Sequence, residues 1–213
     1  MCKHACGMIR EMAYKKSTSY NSSSKPKFKI VVNAPVVLAF SAICVLALVL
    51  DKLTARQSTA LLFSVYRTGA SMASPFTYIR FFGHVFGHLD ISHLTGNLMM
   101  ILILGPMLED RYGGKTLTIV IAITAFITGL ASFLLFPNQA LMGASGVVFA
   151  FILLASFTSF KDREIPLTFI LVAIMYIGQQ VYQGIFVTDN VSQFTHILGG
   201  IIGSVLGYNL NKK

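Results

Sequence analysis

The sequence predicts an all-α polytopic membrane protein of six transmembrane helices. Three observations predict it. Hydrophobic residues are 54% of the 213 and charged residues only 12%, too apolar a balance for a soluble globule of this size. The apolar residues gather in long runs, and crossing about 30 Å of hydrocarbon takes roughly 20 residues of helix. The charges sit between those runs, with Lys and Arg gathered mostly on one side of them.

Residues 1–29 are polar and basic, with seven of the 17 Lys and Arg and the run Ser22-Ser23-Ser24. They are expected to form a disordered cytoplasmic tail drawn to anionic lipid. The net charge of +9 is therefore a membrane-surface signal. Lys25-Pro26-Lys27-Phe28-Lys29 by itself suggests nucleic acid, but no nucleic-acid-binding fold follows it, so no such partner is expected. Cys2, His4 and Cys6 lack a fourth ligand and the spacing of a zinc site, and the two cysteines read as reduced thiols. The tail is too long and too rich in Ser and Lys for a cleaved signal peptide, which makes span one an uncleaved anchor.

The transmembrane domain is expected over residues 30–209, followed by a short tail at 210–213. Span one covers about 30–50 and closes at Asp51-Lys52. A long first loop, about 51–91, mixes Arg56, Arg67 and Arg80 with Leu61, Leu62, Phe63, Phe81 and Phe82. It is too interrupted to cross and suits amphipathic pieces at the interface. Span two is about 92–108, before Glu109-Asp110-Arg111. Span three is about 116–136, stopped by Pro137-Asn138. Span four is about 142–159, span five about 166–187 from Pro166 at its first turn, and span six about 193–209.

Six spans put both termini on one side. With the basic tail inside, 13 of the 17 Lys and Arg are inside; the other four are Lys52, Arg56, Arg67 and Arg80 in the first loop. The positive-inside rule then orients the chain, and spans two, four and six all enter from outside. Ser145, His196, His93 and Asn97 fall near the outer ends of those three spans. Polar groups in a membrane face a bundle interior or a wet cavity. Below Asn97 the run Leu98-Met99-Met100-Ile101-Leu102-Ile103-Leu104 closes the inner side, while Thr195, Asn97, His88 and His84 suit a small cavity open to the outside.

Gly143-Ala144-Ser145-Gly146 admits two readings, helix packing and a nucleophile. They are compatible. Gly146 and Ala150 form a small-residue face on span four, and Gly199 and Gly203 form one on span six. If the faces touch, His196 comes within reach of Ser145. A serine needs a base, and histidine is the usual one. No carboxylate lies in spans four or six, and Asp189 in the preceding loop is either a partner of His196 or a solvated charge; a Ser-His dyad is inferred. Phe149, four residues after Ser145, is placed to stack on the imidazole or to face core or lipid. Acyl transfer also needs oxyanion donors. The Ser145 N–H in a first helical turn, the Asn97 amide and His93 supply them. A metal site at His84, His88 and His93 is the rival; the pair His84/His88 lacks the intervening Glu of a zincin, and no metal or cofactor is expected. A transporter would need polar residues through the full membrane depth.

These residues together resemble the rhomboid intramembrane serine proteases over roughly residues 78–209. The resemblance rests on His84, His88, His93 and Asn97, then Glu109-Asp110-Arg111-Tyr112-Gly113, then Gly143 to Ala150, and then His196 with Gly199 and Gly203. It implies a six-helix rhomboid-like bundle. Ser145 would be the nucleophile and His196 the general base and acid; His93, Asn97 and the Ser145 backbone would bind the oxyanion. Substrates would be membrane proteins with helix-breaking or small residues near the outer end of a span, admitted sideways with help from span five. Glu109 and Arg111 would support structure at the cytoplasmic side. This chain has Ile79-Arg80 where many members have Trp-Arg, and Phe149 where a Tyr is common. A catalytically dead relative that binds membrane clients is the alternative, disfavoured by the presence of both Ser145 and His196. The compartment expected is a bacterial plasma membrane.

Overall fold

The computed structural model describes residues 31–158, 190–212 and six helical positions between 167 and 178. The basic tail at 1–29, most of span five, the loop at 161–164 and Asp189 lie outside the described residues. The elements below belong to one compact unit, Asn33–Lys213.

Among the described residues the longer α-helices are α1 (Pro35–Leu53), α2 (Pro75–Gly83), α3 (Ile91–Tyr112), α4 (Gly114–Leu135), α5 (Ser145–Phe157) and α6 (Asn190–Leu210). Among the described residues α1, α3 and α4 are long and apolar enough to cross a membrane, and α5 is a shorter apolar helix. The chain is an integral membrane protein. Its helices pack through one stripe and leave the rest to lipid: Leu46 and Val49 of α1, Met99 and Ile103 of α3, and Leu134 and Leu135 of α4 are all exposed. The facing stripes meet in a core that includes Val37, Cys44, Ile101, Leu108, Leu117, Val147, Phe151 and Leu154.

Local chemistry explains the helix starts. Pro35 and Pro75 open α1 and α2, where a missing N–H costs nothing. Asp90 caps α3, its carboxylate accepting from the His93 N–H at 2.8 Å. At the far end of α3, Glu109 is buried and accepts from the Val36 and Val37 N–H groups, each at 3.0 Å. It thereby satisfies two of the amides that the start of α1 leaves open. Asn211, after α6, donates to the Tyr112 hydroxyl at 2.7 Å. One end of the bundle is thus tied across α1, α3 and α6.

The first loop contains α2, a π-helical turn at Thr59–Phe63 and a 3-10 turn at His84–Phe86. Two expectations change here. Asp51 does not close span one at the surface; α1 continues to Leu53 and Asp51 is 2% exposed, its backbone carbonyl accepting from the Arg56 N–H as the chain turns. Span four begins at Ser145 and not at about 142, because residues 141–144 are not helical. Leu141 forms an antiparallel bridge with Val65, and Gly143 has φ +132°, a conformation closed to L side chains.

Candidate active site

The site grows from the four residues before α5. Leu141 exchanges two backbone hydrogen bonds with Val65, at 2.9 and 2.8 Å, and the Gly143 N–H donates to the His84 carbonyl at 2.9 Å. The chain then turns into α5 with Ser145 as its first residue. The Ser145 N–H therefore has no acceptor one turn earlier within the helix, and it lies at the positive end of the helix dipole.

Gly143 is required by its surroundings as well as by its φ. A Cβ there would lie 2.8 Å from His93 Cε1 and 2.9 Å from Nε2, with Ser145 Oγ at 3.9 Å. The His93 ring and the Ser145 hydroxyl thus flank one glycine. Asn97, one turn after His93 on α3, is 7% exposed, and its Nδ2 is buried without a hydrogen-bond partner among the described residues. A buried amide donor left open is costly and marks a place where an acceptor is wanted.

His196 stands on α6, packed against α5. Its ring lies 4.4 Å from that of Phe149, tilted by 41°. Below it the helices touch backbone to backbone: a Cβ on Gly199 would collide with the Gly146 carbonyl, and one on Gly203 with the Ala150 carbonyl. Gly146 in turn faces the Thr195 carbonyl, 3.7 Å from where its Cβ would be. Gly146 and Thr195, the chain neighbours of Ser145 and His196, are therefore adjacent across the interface.

The other two histidines are structural neighbours of this centre. His84 Nε2 lies 3.0 Å from the Ala125 carbonyl and donates to it; His88 Nδ1 donates to the Phe86 carbonyl at 3.1 Å. The helical i, i+4 geometry that a His84/His88 metal pair needs is absent, since the 3-10 turn ends at Phe86. Burial holds both imidazoles down, to a pKa of about 4. The His88 and His93 rings meet edge to face at 5.2 Å.

Residues 75–213 match the family model of the Rhomboid domain, well over half of the chain. The chain belongs to the rhomboid family. It is similar to Rhomboid-related protein 2 of Mus musculus, 31% identical over 65% of this chain and 53% of that protein. Rhomboid-like protein 11, chloroplastic, of Arabidopsis thaliana is 26% identical over 63% of the chain and 53% of its own length. Rhomboid protease GlpG of Serratia proteamaculans (strain 568) is 38% identical over 33% of the chain and 25% of its length. This rhomboid chain spans about half or less of the curated relatives it matches.

Sequence reasoning singled out the glycine faces, His93, Asn97 and the serine segment. It missed the Val65–Leu141 bridge and the buried stack of Arg80 on Tyr66, with the guanidinium 4.1 Å from the ring centroid. Both are long-range pairs that no local pattern announces. The Arg80 stack is also the anchoring that Ile79-Arg80 left open, with Ile79 itself exposed.

Proposed function

We propose that this rhomboid chain is an intramembrane serine endopeptidase. The observation that carries the reading is the α5–α6 interface, in which Gly146 backs onto Gly199 and Phe149 stacks on His196. That contact sets an imidazole-bearing stretch beside the first residue of a helix, Ser145.

In this reading His196 takes the Ser145 hydroxyl proton as Oγ attacks the scissile carbonyl carbon. The oxygen gains charge beside the Asn97 amide, His93 and the Ser145 N–H, which are donors fixed before the reaction begins. His196 then returns the proton to the leaving amine, and a water releases the acyl group by the same steps. Water is scarce in lipid. Asn97 Nδ2, His88 Nε2, His84 Nδ1 and Ser132 Oγ are buried without partners among the described residues, and such groups are satisfied by ordered water. They supply the wet cavity this chemistry needs. Thr195 on α6 is also buried.

Substrates in this reading are membrane proteins presenting a span end with small or helix-breaking residues. The basic tail and the inner loops set both termini in the cytoplasm by the positive-inside rule, which puts the site at the outer face. A bacterial plasma membrane remains the compartment we propose; relatives from mouse and a plant chloroplast show that the family is not confined to bacteria. Relatives named only as rhomboid-related make a non-catalytic client binder the second reading.

One experiment separates the two. The purified chain in liposomes is given a single-span reporter. Cleavage that disappears in Ser145→Ala and in His196→Ala supports the protease. A reporter that is bound but left whole by the wild-type chain refutes it.

A further inference from the structure

The segment that leads into Ser145 is held mainly by the first loop. The Thr68 N–H donates to the Pro137 carbonyl at 3.1 Å, and the Thr68 hydroxyl donates to the same oxygen at 2.7 Å. Four residues after Pro137, Leu141 exchanges its two bonds with Val65. Their side chains sit in a small core with Phe81 and Phe133. The last tie is from the Gly143 N–H to the His84 carbonyl. Two residues later comes Ser145. The register of residues 65–68 therefore sets where the nucleophile-bearing peptide lies.

Tyr66 lies between Val65 and Thr68, and a cation covers it. Arg80 is 5% exposed, packed 4.1 Å over the Tyr66 ring, and donates to the Thr77 hydroxyl at 3.0 Å. That hydroxyl donates onward to the Ser71 carbonyl at 2.7 Å, and the Tyr66 hydroxyl donates to the Ala60 carbonyl at 3.1 Å. One guanidinium thus joins α2, the turn at residue 71 and the 65–68 segment. A desolvated cation–ring contact is a strong form of this interaction, and Arg suits it better than Lys because its plane can stack.

We infer that the Arg80–Tyr66 stack is a positioning device for the nucleophile: it fixes the Val65–Leu141 register and through it the place of Ser145. This rests on the protease reading above. Arg80 and Tyr66 touch neither the scissile bond nor Ser145. Their effect is on the rate at which a folded molecule reacts.

The test uses the full chain in liposomes and reads three quantities: the rate at which a fluorophosphonate labels Ser145, kcat and KM on a single-span reporter, and the melting temperature. Removing the stack in Tyr66→Leu and in Arg80→Gln is expected to lower labelling and kcat by roughly tenfold to a hundredfold, the range for a displaced reacting group. KM should move little. Tyr66→Phe keeps the ring and should restore most of the rate. The double variant should be no slower than the slower single one, since both changes remove the same contact. Wild-type labelling per folded molecule in Tyr66→Leu overturns the inference and leaves the protease reading standing; so does a loss that tracks only the folded fraction. A wild-type chain that neither labels nor cleaves overturns both.

Discussion

Gly199→Ala tests the helix contact on which the site depends. A Cβ at 199 meets the Gly146 carbonyl oxygen, with the Gly146 carbonyl carbon at 3.0 Å and Cα at 3.1 Å. Ordinary contacts between carbons lie near 3.5–4.0 Å. All three atoms are backbone, so no side chain can swing aside, and α6 must move from α5 by roughly 0.5–1 Å on the carbon contacts alone. Overpacking of this kind costs about 1–3 kcal/mol. The same displacement separates the stretch carrying His196 from the start of α5, and a misplacement of about 1 Å costs on the order of a hundredfold in rate. The expected variant is therefore folded, modestly destabilised and nearly inactive. The assay is kcat on a reconstituted single-span reporter, read beside a thermal melt. Gly96→Ala is the control: among the described residues nothing lies within 4 Å of where its Cβ would be, so rate and fold should both survive. Wild-type kcat in Gly199→Ala would refute the reasoning, because it would mean that the α5–α6 distance does not govern the chemistry.

Three further outcomes are expected. Asn97→Ala should lower kcat by about a hundredfold to a thousandfold with little change in KM, the behaviour of a lost oxyanion donor; a change confined to KM would assign Asn97 to substrate binding. Glu109→Ala leaves the Val36 and Val37 amides open, and a thermal melt should fall by the equivalent of about 1–3 kcal/mol while activity per folded molecule holds. Stability should also fall with acid. His84 and His88 are held neutral down to about pH 4 against an ordinary value of 6.5. Between those values the unfolded chain binds more protons, so stability is full above pH 6.5 and is lost as pH falls toward 4. A melting temperature that stays flat across that window would contradict this account of the two histidines.

What could be read in the sequence follows from the range of the forces involved. Lipid demands unbroken apolar runs, so the cores of α1, α3 and α4 are visible in the sequence, whereas the starts at Pro35 and Pro75 come from the structure. The Gly146/Ala150 and Gly199/Gly203 faces were visible because close helix approach needs small residues four apart. The non-helical entry into α5 was not. Met142 and Ala144 read as ordinary span residues, and only the bridge from neighbouring Leu141 to Val65, 76 positions away in the chain, draws the segment out of the helix. In the sequence Asp51 reads as a surface stop because a carboxylate after an apolar run usually is one; its burial depends on how the first loop folds. Arg80 likewise reads as a loop charge, and its stack on Tyr66 depends on a tertiary approach that carries no spacing signature.

The central claim is that Ser145 is a nucleophile activated by His196. The most direct measurement is peptide mapping of the chain after exposure to a fluorophosphonate, with the wild type, Ser145→Ala and His196→Ala treated alike. The account predicts a phosphonyl adduct on Ser145 in the wild type, none at any site in Ser145→Ala, and a labelling rate depressed by orders of magnitude in His196→Ala. An adduct on another residue, or equal labelling of Ser145 with and without the His196 imidazole, would contradict it.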